Sequence, residues 1–284
     1  MTFPLTDANP AAAIIAGLFG LLVGSFANVV IHRVPIGQSI VFPPSRCPRC
    51  QAAIKPWQNI PLISWLALRG RCANCGLPIS PLYPFVEALH GAGFALIVLR
   101  YGLTPFAPVL MAFFSALCIL AFIDWDHQIL PDAITLPGIA LGVGFTFVPG
   151  SLINWKEALL AAVMGYAGFF AVAKGYSRLR SIEGLGQGDW KLAAMMGSVL
   201  GGRRLLLVVL LGSISGTILG LAQALTQRRG QAEMPPSDGE PPSPDLPPIG
   251  QHKLPFGTFL AASAVFVLFF GDEALEWYSS LFRF

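Results

Sequence analysis

The sequence predicts an all-α polytopic membrane protein of about eight transmembrane helices, with a small metal-binding cytoplasmic lobe between the first and the second. Three observations carry this. Hydrophobic residues make up 54% of the chain's 284 residues and charged ones only 12%, against roughly 25% charged in a soluble domain. Apolar runs near the ~20 residues that a membrane-spanning helix needs recur along the chain. Four of the five cysteines fall in one polar segment as two CxxC pairs, which suggests metal binding in a reducing compartment rather than a disulfide framework.

Apolar segments are expected at 11–32, 84–100, 105–123, 133–149, 157–174, 190–202, 204–226 and 254–271. The first is preceded by MTFPLTDANP, which has no Lys or Arg and lacks the basic region of a secretory signal, so it is read as a retained span. Between the first two stand Arg33, Arg46, Arg49, Lys55, Arg69 and Arg71, with no acid before Glu87. The positive-inside rule puts this loop in the cytoplasm and the N-terminus outside. Counting onward places the 124–132 loop, the 175–189 loop (Lys174, Arg178, Arg180) and residues 227–253 on the cytoplasmic side as well. Arg203 and Arg204 fall on the outer side, against the rule. The sixth segment is short and glycine-containing, and reads either as a half-helix or as continuous with the seventh. Residues 227–253 hold seven prolines between Pro235 and Pro248 and read as a flexible linker. The expected organisation is a first helix (1–33), a four-cysteine lobe (34–83), a membrane core (84–226), the linker (227–253), and a last helix with its tail (254–284). The net charge of +3 says little by itself; the lipid bilayer is the expected partner and nucleic acid is not.

The lobe carries Cys47-Pro-Arg-Cys50, then 21 residues, then Cys72-Ala-Asn-Cys75. Two knuckles at this separation supply four thiolates to a tetrahedral zinc ion, and a site with all four positions filled is structural. Gly76 permits the backbone turn beyond the second knuckle. Cys118, amid Leu, Phe and Ala, reads as a packing residue.

Asp124 ends the third apolar segment and Asp189 precedes the sixth. Ionisable residues at a bilayer boundary are costly, and two of them mark a functional site. Two adjoining carboxylates can share a proton and activate a water. Asp124 is the deepest acid of its stretch, although alone it also reads as a capping or interfacial carboxylate. Asp126 and His127 are expected at headgroup level, and Asp132 as an N-cap of the fourth span. Gly184, Gly186 and Gly188 allow close backbone approach before Asp189. Lys191 either acts on Asp189 or substrate, or snorkels to the interface. Glu87 either holds a basic substrate residue, pairs with Arg33, or is a plain interfacial charge. Asn28 and Ser25 read as helix–helix hydrogen-bond glue. Pro56, Trp57, Pro61 and Trp65 either pack the lobe or meet substrate. None of the four histidines is assigned a role.

Residues 20–35 (GLLVGSFANVVIHRVP), the knuckles with PWQNIPLISWLALRGRCANCG, YPFVEAL, FIDWDHQILPD, GLGQGDWKL and LPFGTFLA occur in this order. Together they resemble the type IV prepilin peptidases, membrane aspartic proteases of type IV pilus and type II secretion systems, over nearly the whole chain. The resemblance implies a multi-pass protein of the bacterial inner membrane that removes a short basic leader from prepilins and pseudopilins. The cut follows a glycine on the cytoplasmic side. It also implies methylation of the new N-terminal amine by S-adenosylmethionine, whose binding residues are not assigned because no glycine-rich dinucleotide-type fingerprint is present. Carried over, the catalytic pair is Asp124 and Asp189, and the zinc ligands are Cys47, Cys50, Cys72 and Cys75. Thr258 stands where relatives usually carry proline, which is read as bearing on the helix start rather than on the aspartate pair. The proline-rich insert is also atypical. Two other readings are a transporter using the aspartates as an ion relay, and a presenilin-type protease cutting within a span. Against the first stands the lack of an inverted repeat and of paired broken helices. Against the second stand the boundary position of both acids and the cysteine knuckles.

Overall fold

The computed structural model describes residues 9–180, 186–232 and 255–281. Among them every regular element is a helix, as hydrocarbon requires of a chain that must satisfy its own backbone. In order they are α1 (Pro10–Arg33), α2 (Ile63–Ala67), α3 (Leu82–Tyr101), α4 (Ala107–His127), α5 (Asp132–Gly144), α6 (Trp155–Arg180), α7 (Gln187–Leu200), α8 (Gly202–Ala232) and α9 (Phe256–Ser280). All but α2 correspond one for one to the expected apolar segments. Six of them (α1, α3, α4, α6, α8 and α9) are long and apolar enough to cross a membrane, and the protein is a multi-pass membrane protein. The two short ones, α5 and α7, have 13 and 14 residues. The sixth and seventh segments are separate helices, joined only by Gly201 at φ +81°.

Several boundaries differ from expectation: α9 runs to Ser280 rather than 271, and α5 ends at Gly144 rather than 149. The Lys174, Arg178 and Arg180 stretch is the end of α6 and not a loop, and α8 runs to Ala232, into the expected linker. Lys, Arg and Gln are good helix formers, and cations suit the negative C-terminal end of a helix. The remainder of the linker, the first eight residues and Gly184 lie outside the described residues.

Helices in lipid gain nothing from apolar burial against each other, so close backbone packing matters more. In α1, a Cβ added at Gly20 would lie 2.4 Å from the His90 carbonyl oxygen of α3. Asn28 Nδ2 adds hydrogen bonds to the carbonyls of Gly24 and, on α3, Tyr83 at 3.2 and 3.1 Å. In the pair α6–α7, Gly165 faces the Ala193 carbonyl and Gly197 faces that of Ala161. The second contact clamps α7 along α6, and α7 is buried along most of its length. Phe94 and Phe114, Leu110 and Leu117, Leu192 and Met195, and Leu260 and Ala264 join α3, α4, α7 and α9 in one core that also takes in Cys118.

One end of the bundle is edged with paired charges. Arg204 makes a bidentate ion pair with Asp272 at 2.7 and 2.9 Å, Arg100 pairs with Glu273, and the Tyr101 hydroxyl bonds the Leu268 carbonyl. From Thr258 to Asp272, α9 rises about 21 Å at 1.5 Å per residue, which is the length of α7. The slab between the aspartates and this charged layer is thin.

The lobe hangs between α1 and α3. Both knuckles fold alike. Cys47 and Cys72 each accept an amide from the fourth residue on (Gln51, Gly76), and each donates its own N–H to the fifth (Ala52, Leu77). Gln51 and Gly76 both take the left-handed conformation, φ +58° and +69°. The first knuckle thus bears, with a glutamine, the strain that glycine relieves in the second. Trp65 packs on Gly70 and donates to the Ile79 carbonyl, whereas Trp57 is exposed beneath the Lys55 ammonium. Glu87 is neither a free interfacial charge nor Arg33's partner. Its Oε2 accepts the Leu62 amide at 2.8 Å and ties the lobe to α3, while Arg33 bonds the Ser39 carbonyl.

Candidate active site and metal-binding lobe

Four thiolates at about 2.3 Å from a tetrahedral metal lie ~3.8 Å from one another. The Sγ atoms of Cys47, Cys50, Cys72 and Cys75 all lie within 4.8 Å of one another, Cys47 and Cys75 at 4.0 Å. None is in a disulfide. The Asn74 amide donates to Cys50 Sγ at 3.5 Å, and this bond, with one from Ala52, holds the Cys50 thiol down to about 6. The donor set and spacing fit one metal ion, with no position left for a catalytic water.

Asp124 lies in the last turn of α4 and is buried, while Asp126 and His127 beyond it are exposed. Its Oδ2 accepts the Thr258 backbone N–H at 2.7 Å, and the Thr258 hydroxyl lies 3.2 Å away, also 3.0 Å from the Ala121 carbonyl. Thr258 belongs to the first turn of α9, where amides lack partners within the helix, so Asp124 caps a helix other than its own. Thr258 thus touches the aspartate pair directly, contrary to the sequence expectation.

Asp189 is in the first turn of α7, 8% exposed, and its Oδ2 accepts the Gly186 N–H at 3.1 Å. Next to it Trp190 packs edge-on against Tyr166 and Phe170 of α6, with ring centres 6.0 and 5.1 Å apart. The two carboxylates are close enough to act on each other as like charges. Leu130, in the α4–α5 turn, sits between their supports. A Cβ on Gly188 would lie 2.8 Å from the Leu130 Cβ, and one on Gly257 would lie 2.9 Å from Leu130 Cδ1 and 3.0 Å from Asp124 Oδ2.

This contact gives a direct expectation. Gly188→Ala has to push α7 away from Leu130, and is expected to reduce turnover at least about tenfold at unchanged protein yield, since a 1 Å misplacement costs about 10²-fold. Adding Leu130→Ala should recover most of it. Full activity in the single variant would show that α7 can shift without opening the pair.

Lys191 Nζ reaches both oxygens of Asp132, at 2.7 and 2.8 Å. It neither contacts Asp189 nor snorkels freely, and Asp132, the first residue of α5, is not its N-cap. That position is Pro131, with no side-chain cap. The half-exposed pair is worth little in stability, but it fixes the start of α7 against α5. From the sequence alone Gly257 and Leu130 receive no role, and Thr258 is read only as bearing on the helix start. The only signal was a helix start, with its free amides, opposite a buried acid in a bundle.

Long apolar helices that bring two buried carboxylates to one end, with a four-cysteine lobe between α1 and α3, define a polytopic membrane enzyme. Residues 18–101 match the Bacterial Peptidase A24 N-terminal domain, and residues 111–221 match the Type IV leader peptidase family. A protein of Myxococcus xanthus named prepilin leader peptidase/N-methyltransferase is 42% identical over 85% of this chain and 71% of its own length. Proteins of the same name from Stutzerimonas stutzeri and Neisseria gonorrhoeae are 34% and 36% identical, over 97% and 79% of this chain and 96% and 87% of theirs. No solved structure matches. The chain belongs to the prepilin leader peptidase/N-methyltransferase family.

Proposed function

We propose that this protein cleaves the short basic leader of prepilins and pseudopilins after a glycine, at the cytoplasmic face of the bacterial inner membrane, and then N-methylates the new terminus with S-adenosylmethionine. The observation that carries the peptidase reading is that Asp124 from α4 and Asp189 from α7 are both buried, on either side of Leu130 and within electrostatic reach of each other. One of them is ionised and takes a proton from water, while the other is protonated and donates to the scissile carbonyl oxygen. Cys47, Cys50, Cys72 and Cys75 hold zinc as a structural ion in the 34–83 lobe, set apart from the 84–226 peptidase core. The N-terminus lies outside. Arg204, which ran against this topology, is neutralised by Asp272, and the lobe's uncompensated cations stay inside. No nucleic acid takes part.

The test is purified protein in lipid nanodiscs with a prepilin, followed by mass spectrometry. The expected products are a chain lacking its leader up to the glycine and, on adding S-adenosylmethionine, the same chain heavier by one methylene. An uncut prepilin, or a cut at another residue, overturns the reading.

A further inference from the structure

Asp124 and Asp189 are alike in residue type but not in place: Asp189 lies in the first turn of α7, whereas Asp124 lies in the last turn of α4 and against the first turn of α9, so two helix ends act on it in opposite directions. Their hydrogen-bond donors differ as well. Asp124 Oδ2 accepts the Thr258 amide at 2.7 Å, and the Thr258 hydroxyl, whose one proton is shared with the Ala121 carbonyl at 3.0 Å, lies 3.2 Å away. Asp189 Oδ2 has the single Gly186 amide at 3.1 Å. Hydrogen bonds donated to a carboxylate favour its ionised form, and two adjoining carboxylates cannot both ionise cheaply. Unequal donors therefore decide which of the two keeps the shared proton. Resting on the aspartate-pair reading above, we propose that Thr258 is a positioning residue that holds Asp124 as the ionised base and leaves the proton on Asp189.

The surrounding charges do not reverse this. From α7 comes Asp189 itself, and Lys191 is occupied by Asp132 of α5. On α4, Asp126 and His127 are exposed. From α1 and α3, His32, Arg33 and Glu87 reach the same end, with Glu87 bound to the Leu62 amide and Arg33 to the Ser39 carbonyl. The first turn of α9 carries no acid. In the step that follows, the Asp124 carboxylate takes one proton from water as the water oxygen bonds to the scissile carbon. The Asp189 proton passes to the carbonyl oxygen. When the C–N bond breaks, the amine leaves with the proton held on Asp124, and the collapsing diol returns one to Asp189. Both carboxyls end as they began.

The test compares pH–rate profiles of the full-length enzyme carrying Thr258→Ser, Thr258→Val and Thr258→Pro. Serine keeps both donors and should follow wild type. Valine removes the hydroxyl, and proline, tolerated in a first helical turn, removes the amide hydrogen as well. The acid limb of kcat/KM should move to higher pH by about half a unit for valine and about one for proline, with KM little changed. An unmoved acid limb in both variants overturns the proposal. So does movement of the alkaline limb instead, which would place the proton on Asp124. Asp124→Asn separates the two levels: activity retained there defeats the aspartate pair, whereas activity lost there with unmoved limbs defeats only the role of Thr258.

Discussion

Asparagine at position 124 or 189 is expected to slow leader cleavage at least about 10³-fold, near 4 kcal/mol of transition-state stabilisation. The substitution keeps the size of each side chain, and at 124 the amide oxygen can still accept from the Thr258 N–H, so yield and helix content should match wild type. Because a proton shared by two groups is lost with either, the double variant should be no slower than the slower single one. Asp126, exposed on the same helix, is the internal control, and its asparagine variant should cleave at close to the normal rate. The measurement is initial rate of leader release at matched protein in nanodiscs. Losses that add, or substantial activity in either single variant, would show that the two carboxylates do not work as a unit.

Cys72→Ser is expected to cost the lobe both its metal and its fold. Of residues 34–81 only Cys47, Pro61, Ser64 and Gly70 are buried, too little apolar area to hold a chain of that length. A structural zinc ion supplies about 10–16 kcal/mol in small zinc-finger peptides, so a metal bound by the four cysteines would be the main source of order there. Metal content should fall from about one per chain to near zero, in the stoichiometry of a closed four-thiolate site. Limited trypsin digestion should then cut after Arg46, Arg49, Arg69 and Arg71, which wild type resists. The membrane helices, whose packing does not involve the knuckles, should stay intact. A wild-type protein free of metal, or a variant with an unchanged digestion pattern, would leave the lobe's order without its explanation.

The spans and the cysteine knuckles were legible because each rests on a local pattern: a run of apolar residues, or two thiols one turn apart. Asp124 and Asp189 were legible for the opposite reason, as acids placed where the local pattern disfavours them. What could not be read was anything set by contact across helices. Glu87 had three readings because its partner, the Leu62 amide, is a backbone group that sequence does not mark. Lys191 is near Asp189 in sequence but is taken by Asp132, 59 residues away. Thr258 looked like a matter of helix start because the acid it meets lies 134 residues earlier. The ends of α6, α8 and α9 run past the expected segments, whereas α5 and α7 stop short of theirs. Basic and glutamine-rich turns ended the apolar pattern of α6 and α8 but not the helices themselves.

The shortness of α5 bears on the membrane as well as on the protein. Its 13 residues rise about 20 Å, and Leu136 and Leu141 face outward, about half exposed. A typical hydrocarbon core is about 30 Å thick. Lipid tails beside α5 must therefore shorten or tilt to meet it, at a fraction of a kcal/mol per Å of mismatch. A dimple on the side of the α4–α5 turn would lower the headgroups and their water toward Leu130 and the carboxylates on either side of it. Acyl-chain length would then be a variable of the site's chemistry.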